Sequence, residues 1–204
     1  DMISEGQLLS IPLSARPATE INAYITDLNE EGRFETLRLG RYFTYISPFM
    51  YSIREDGSLT TMQESGVLEA ARTTGVAPLL TLTNFRNSNF DSDLAASVLR
   101  NQTVQDTLIT NLIAKMKEKG YAGINIDFEY VYPEDRENYN NFLRRLVARA
   151  HPEGLLVSTA LAPKESADQA GLLYEAHDYE AQADIVDFIV IMTYEWGWAG
   201  GRPW

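Results

Sequence analysis

The sequence predicts an α/β fold of the (β/α)8 TIM barrel class, incomplete here, with about six of the eight strands present. Three observations predict it. Short β-rich runs alternate with helical stretches from residue 21 onward. The fourth run, within GYAGINIDFEYV at 120–131, is apolar on one face and polar on the other. The chain has 204 residues, fewer than the ~250 of a complete barrel. Steady strand–helix alternation implies parallel strands with right-handed crossovers, in a doubly wound sheet or a barrel. The polar run decides between them. Central strands of a doubly wound sheet are covered on both faces and read as continuous aliphatics, whereas a barrel strand turns one face to the helices and one to the interior. Asn125, Asp127 and Glu129 then point inward, climbing toward the C-terminal mouth.

The elements follow in order. INAYI (21–25) reads as the first strand, RYFTYISPFMYSI (41–53) as the second, closing at the turn EDGS, and VAPLLTLTN (76–84) as the third. GINIDFEYV (123–131), LLVSTALA (155–162) and VDFIVIMTY (186–194) complete six. A helical period occupies 61–74, with Met62, Val67, Leu68 and Ala71 on its stripe. The helix over 103–120 is better marked. Thr103 is placed to cap it with Asp106 three residues on, Val104, Leu108, Leu112 and Met116 form a stripe, and Lys115, Lys117 and Lys119 precede Gly120. After the fourth strand a helix begins near Pro133 and runs through Phe142, Leu143, Leu146 and Val147 to a stop at His151 and Pro152. The fifth crossover, 172–183, is short.

Composition narrows the function classes. With 45% hydrophobic residues the chain can bury one sizeable core, and one main domain is the default. Acidic residues number 29 against 17 basic, a net charge of −12. That balance argues against nucleic-acid and anionic-membrane partners, which need clustered Lys and Arg. No apolar run approaches the ~18–20 residues of a membrane span, and DMISEGQLLS lacks the basic start and apolar block of a signal peptide. Cysteine is absent, which removes thiol catalysis, disulfides and thiolate metal sites and fits a bacterial envelope protein. His151 and His177 are too few and too scattered for a zinc site or a Ser–His pair, and no H-E-x-x-H, G-x-S-x-G or P-loop occurs. His151, at a helix C-terminus, reads as a dipole partner. The sequon N-Q-T at 101–103 competes with the capping role of its Thr.

The chemistry lies in the fourth strand. Residues i and i+2 share a face, ~6.5–7 Å apart along it. Repulsion and desolvation both raise a carboxyl pKa, so the pair can keep one proton near neutral pH, as a general acid for an acetal leaving group requires. Glu129, nearest the mouth and on the longer arm, is the better donor. Asp127 sits beneath it, and Asn125 adds an amide without a third negative charge. This arrangement suits glycosidic bond cleavage. Two solvated carboxylates on an edge strand are the plainer alternative, but Ile124, Ile126 and Phe128 on the opposite face make the strand central.

GYAGINIDFE resembles the fourth-strand signature of glycoside hydrolase family 18, D-G-x-D-x-D-x-E, with Ala122 in place of the first Asp and Asn125 in place of the second. DFIVIMTYEW (187–196) is similar to the family's sixth-strand M-x-Y-D, with Met192, Tyr194 and Glu195. EDGSL (55–59) resembles its turn after strand two. Within the family, NIDFE with MTYEWGW is closer to the bacterial spore cortex-lytic N-acetylglucosaminidases than to secreted chitinases. Those enzymes carry LysM modules, and EGQLLSIP (5–12) resembles the end of one. The implied organisation is a LysM tail over 1–12, a linker over 13–20 and the first six βα units of the barrel over 21–204. The resemblance implies an enzyme without cofactor or metal, acting on peptidoglycan or chitin in the bacterial envelope, on the spore or outside the cell.

It further implies retaining, substrate-assisted hydrolysis. Glu129 would serve as acid and base, Asp127 would orient the 2-acetamido group that attacks C1, and Tyr194 would hold its oxygen. Asn125, Met192, Glu195, Trp196 and Asn84 are candidate substrate contacts, with a loop-packing role ranked ahead of a sugar contact for Asn84. Trp196 and Trp198 offer flat surfaces for sugar rings, and LTNF, at 82–85, replaces the family's S-x-G-G. An amide at Asn125 cannot exchange a proton with Asp127, so a less cooperative acid limb is expected, and an unchanged pH profile in Asn125→Asp would contradict it. Two other readings rank lower. A carbohydrate-binding lectin on the same barrel typically lacks the acid, yet Glu129 is present. Mg²⁺ or Ca²⁺ held by Asn125, Asp127 and Glu129 lacks a phosphate-binding loop and basic neighbours.

Overall fold

The structure, a computed structural model, describes residues 19–196, with backbone alone for Glu195 and Trp196. The LysM-like stretch 5–12, most of the linker, Trp198 and the side chains of Glu195 and Trp196 lie outside the described residues.

β1 (Asn22–Ile25) leads into α1 (Glu30–Leu39), capped by Asn29, whose Oδ1 accepts from the Glu31 amide at 2.8 Å. β2 (Tyr45–Pro48) and β3 (Tyr51–Ser52) follow, then α2 (Ser65–Thr74) and β4 (Ala77–Thr83). A hairpin of β5 (Phe85–Arg86) and β6 (Asn89–Phe90) precedes α3 (Ser92–Leu99) and α4 (Gln102–Lys119). β7 (Gly123–Asp127), α5 (Arg136–Ala150), β8 (Leu156–Leu161), α6 (Tyr179–Ile185) and β9 (Phe188–Ile191) complete the chain order.

The strands pair β1-β2-β4-β7-β8-β9, every pairing parallel, with β3 added beside β4. Order in space repeats order in sequence without the reversal of a doubly wound sheet, so successive crossovers wind the same way and the sheet curls. The curl is deep enough that Tyr45 of β2 stacks on Phe188 of β9, ring centroids 5.4 Å apart. The fold is a parallel half-barrel, as the sequence predicts.

The two strand faces divide as the period-2 pattern requires. Leu80, Leu82, Ile124, Ile126 and Val157 join Leu108, Leu112, Met116, Phe142 and Leu146 of α4 and α5 in the main core. Phe128 stacks on Tyr139 and Phe142, with centroids 5.7 and 5.8 Å away. The other face is polar. Thr81, Asn125 and Ser158 stand side by side in register across β4, β7 and β8, fully buried.

Several boundaries differ from the expectation. The second run starts as a 3-10 turn over Gly40–Tyr42 and splits in two, because β2 ends at Pro48, which has no amide to continue a ladder. The fourth strand ends at Asp127 instead of residue 131. Thr103 does not cap α4. Asn101 does, its Oδ1 accepting from the amides of Thr103 and Val104 at 3.1 and 3.2 Å, so the sequon's Asn is the capping residue. Gly120 closes that helix at φ 76, as expected. α2 begins at Ser65 instead of residue 61, and α6 lies later than 172–183. His151 opens a 3-10 turn after α5 and meets Asp187 at 3.1 Å.

Candidate active site

β1, β7 and the end of β9 bring their inward residues to one mouth, at the C-terminal ends of the strands where barrel sites form. A cavity of about 610 Å³ opens there, lined by Asp127 and Glu129, by Tyr24 and Thr26 from the β1 end, by Phe49 and Phe90, and by Val190, Met192 and Tyr194. A larger groove, about 700 Å³, lies outside the barrel between α5 and α6. Its Asp178 is paired with Arg136 at 2.9 Å and caps α6, a structural role.

Asp127 is 4% exposed, and its Oδ1 has no hydrogen-bond partner among the described residues. Burial, and then the charge of Glu129, push its carboxyl up to about 8. Burial of Asp127 and the nearness of Glu129 let the pair retain a proton near neutral pH. Tyr24 lies across the cavity, its hydroxyl pKa raised by burial first and then by Asp127 and Tyr194. Tyr194 is 59% exposed at the rim, and Met192, 8% exposed, sits in the wall.

Asn125 is one layer deeper. Its Oδ1 accepts from the Tyr24 hydroxyl at 2.8 Å and its Nδ2 donates to Ser158 Oγ at 2.9 Å. It is fully buried and does not line the cavity, so it supports the floor beneath Asp127 instead of meeting a ligand. Asn84 packs against the loops, the role ranked ahead of a sugar contact. It is fully buried, its Oδ1 accepts from the Glu129 amide at 3.0 Å, and its Nδ2 donates to the carbonyls of Glu129 at 2.9 Å and Asp91 at 3.0 Å. Both amide hydrogens are committed, and burial keeps the oxygen away from the cavity.

Tyr24, Phe49, Phe90 and His177 are the residues that sequence reasoning missed. For Tyr24 a signal existed: Asn22 and Tyr24 alternate in INAYI as Asn125 and Asp127 do in the fourth strand. His177 is 1% exposed and accepts from the Ala162 amide through Nδ1 at 2.9 Å, so Nε2 carries the proton and donates to the Phe128 carbonyl at 3.0 Å. Burial lowers its pKa to about 4, the bond to Phe128 opposes the shift, and Lys164 adds to it. Among the described residues, no group of three His, Asp or Glu is arranged to hold a metal ion.

A curled parallel sheet with a buried and a half-buried carboxylate at its C-terminal mouth is the arrangement of a barrel hydrolase. Residues 83–200 match the model of Glycosyl hydrolases family 18, and the chain belongs to that family. It is 41% identical over 200 residues to the cortical fragment-lytic enzyme of Bacillus anthracis, covering 96% of this chain and 46% of that protein. Identity to the Bacillus subtilis cortical fragment-lytic enzyme is 37% over 196 residues, 94% of this chain and 46% of that protein. The solved spore cortex-lytic enzyme SleL of Bacillus cereus matches with a TM-score of 0.88 and 39% identity over 100% of this chain and 48% of that one. A chitinase from Chromobacterium violaceum shares the fold at a TM-score of 0.81 and 22% identity, over 92% of this chain and 59% of that one. The chain spans about half the length of the curated relatives it matches.

Proposed function

We propose that this chain carries the acid/base half of a glycosidase that cleaves β-1,4 bonds in N-acetylglucosamine polymers, with peptidoglycan of the spore cortex favoured over chitin. The observation that carries the reading is the pair Asp127 and Glu129, a buried carboxyl raised to about 8 beside a second carboxylate on the wall of an aromatic-lined cavity. The names of the relatives at 37–41% identity support the cortex as substrate. Action on the spore or cell envelope follows from that substrate.

The mechanism is retaining and needs no enzyme nucleophile. Glu129 donates a proton to the glycosidic oxygen, while the acetamido carbonyl of the sugar attacks C1 and forms an oxazolinium ion. Glu129 draws that proton from Asp127, and Asp127, left as an anion, stabilises the ring N–H as positive charge develops. Tyr194, on the rim, holds the acetamido oxygen. Glu129 then takes a proton from the water that opens the ring. Met192 forms part of the sugar-facing wall, and Glu195 and Trp196 are proposed contacts beyond it.

The test is a product assay of the full-length protein on cortex fragments and on chitopentaose. Glu129→Gln is expected to lose at least about 10²-fold in kcat, the scale of general acid catalysis. Undiminished turnover in that variant would overturn the mechanism, and faster cleavage of chitopentaose than of cortex fragments would reverse the substrate preference.

A further inference from the structure

The segment that carries Glu129 has left the sheet. β7 ends at Asp127, so the polar backbone groups of residues 128–130 have no strand to pair with. Four of them are held by side chains from three places in the fold. His177, in the crossover between β8 and α6, donates to the Phe128 carbonyl at 3.0 Å. Asn84, at the end of β4, takes both sides of Glu129, accepting from its amide at 3.0 Å and donating to its carbonyl at 2.9 Å. Ser92, at the start of α3, donates to the Tyr130 carbonyl at 2.5 Å. Tyr130 itself stands at φ 52, in the left-handed region that a tyrosine rarely enters. A backbone in that state persists where its surroundings fix it.

We propose that Asn84, Ser92 and His177 are positioning residues that form a side-chain cradle for the Phe128–Tyr130 backbone and so fix where the Glu129 carboxyl meets the scissile oxygen. The cradle deepens the reading of Glu129 as acid/base and rests on it. His177 fits the task because its two nitrogens are both committed, one as acceptor from Ala162 and one as donor to Phe128. Asn84 fits it because a carboxamide is the one side chain that offers an acceptor and a donor side by side to a single peptide unit's neighbours. Neither residue lines the cavity, so neither acts on turnover by touching substrate.

Two measurements on the full-length protein test the cradle. In steady-state kinetics on chitopentaose, His177→Leu is expected to lower kcat by about 10²-fold, as an ångström-scale misplacement of a reacting group does. KM should stay within about two-fold, since substrate contacts are untouched. His177→Gln, which keeps one acceptor and one donor, should recover most of that loss. Ser92→Ala, a single hydroxyl removed from a half-buried site, should retain the fold and lose kcat by a smaller factor. In amide exchange, Asn84→Ala should speed exchange of the Glu129 N–H by at least about ten-fold relative to its neighbours in β7. Parent-like kcat in a folded His177→Leu, or unaltered Glu129 exchange in Asn84→Ala, overturns the cradle. An active Glu129→Gln control would instead overturn the acid/base reading, and the exchange result alone then decides whether the cradle exists.

Discussion

Asp127 holds its proton at a cost to the fold. Its carboxyl stands at about 8 against an ordinary 3.8. Between those values the folded chain keeps a proton that the unfolded chain has released, so stability falls as pH rises through that window. At pH 7 the cost is on the order of 4 kcal/mol. Asp127→Asn removes it, and the variant is expected to melt above the parent at pH 7 and level with it near pH 4, while losing glycosidase activity. Thermal melts across that range check this; a constant offset between the two proteins would contradict it. Asp127 was legible because a strand's period of 2 puts it on the inner face with Asn125, and Glu129 reaches the same cavity although β7 ends two residues before it. Asn84 and His177 were not. Their partners are backbone groups freed where β7 leaves its ladder, and no periodicity marks that point.

At the scale of elements, the sheet requires its backbones to approach closely at Gly123. A Cβ there would lie 2.3 Å from the Leu156 carbonyl oxygen, on the neighbouring strand and in register with it. The obstacle is backbone, which cannot rotate away. Gly123→Ala should therefore destabilise by about 1–3 kcal/mol, the range for overpacking, read as a lower urea midpoint. A midpoint equal to the parent's would show that β7 and β8 can separate at no cost. Helices with an apolar stripe and a glycine stop, α4 above all, were readable from sequence. α1 was not, since Phe34 and Leu37 are 60% and 36% exposed and its buried positions include Gly32 and Thr36. Its signal was the cap, Asn29 followed by two glutamates. α3 likewise follows a capping Asp91 and is only 8 residues long. The split of the second strand depended on one missing amide, at Pro48, within a run whose β-propensity is otherwise continuous.

For the whole molecule, the division between the middle and the outer strands of the described sheet sets where the site is stiff. β4, β7 and β8 are almost wholly buried, whereas β1 is half-buried throughout and β9 runs from half-buried to exposed. Local opening is easiest where few buried contacts must break. The cavity draws on both classes, with Asp127 on β7 and Glu129 just beyond it, and with Tyr24 and Val190 on the outer strands. In this six-strand chain, where β1 and β9 are the edges of the described sheet, Asp127 sits on the strands expected to open last and Tyr24 and Val190 on those expected to open first. Native-state hydrogen exchange should show β4, β7 and β8 amides at the global unfolding free energy and those of β1 and β9 below it. An N-acetylglucosamine oligomer bound in the cavity should then raise protection along β1 and β9 and leave β7 nearly unchanged, since only the outer strands have openings left to suppress. Uniform protection without ligand, or a ligand effect centred on β7, would show that the walls are already as rigid as β7.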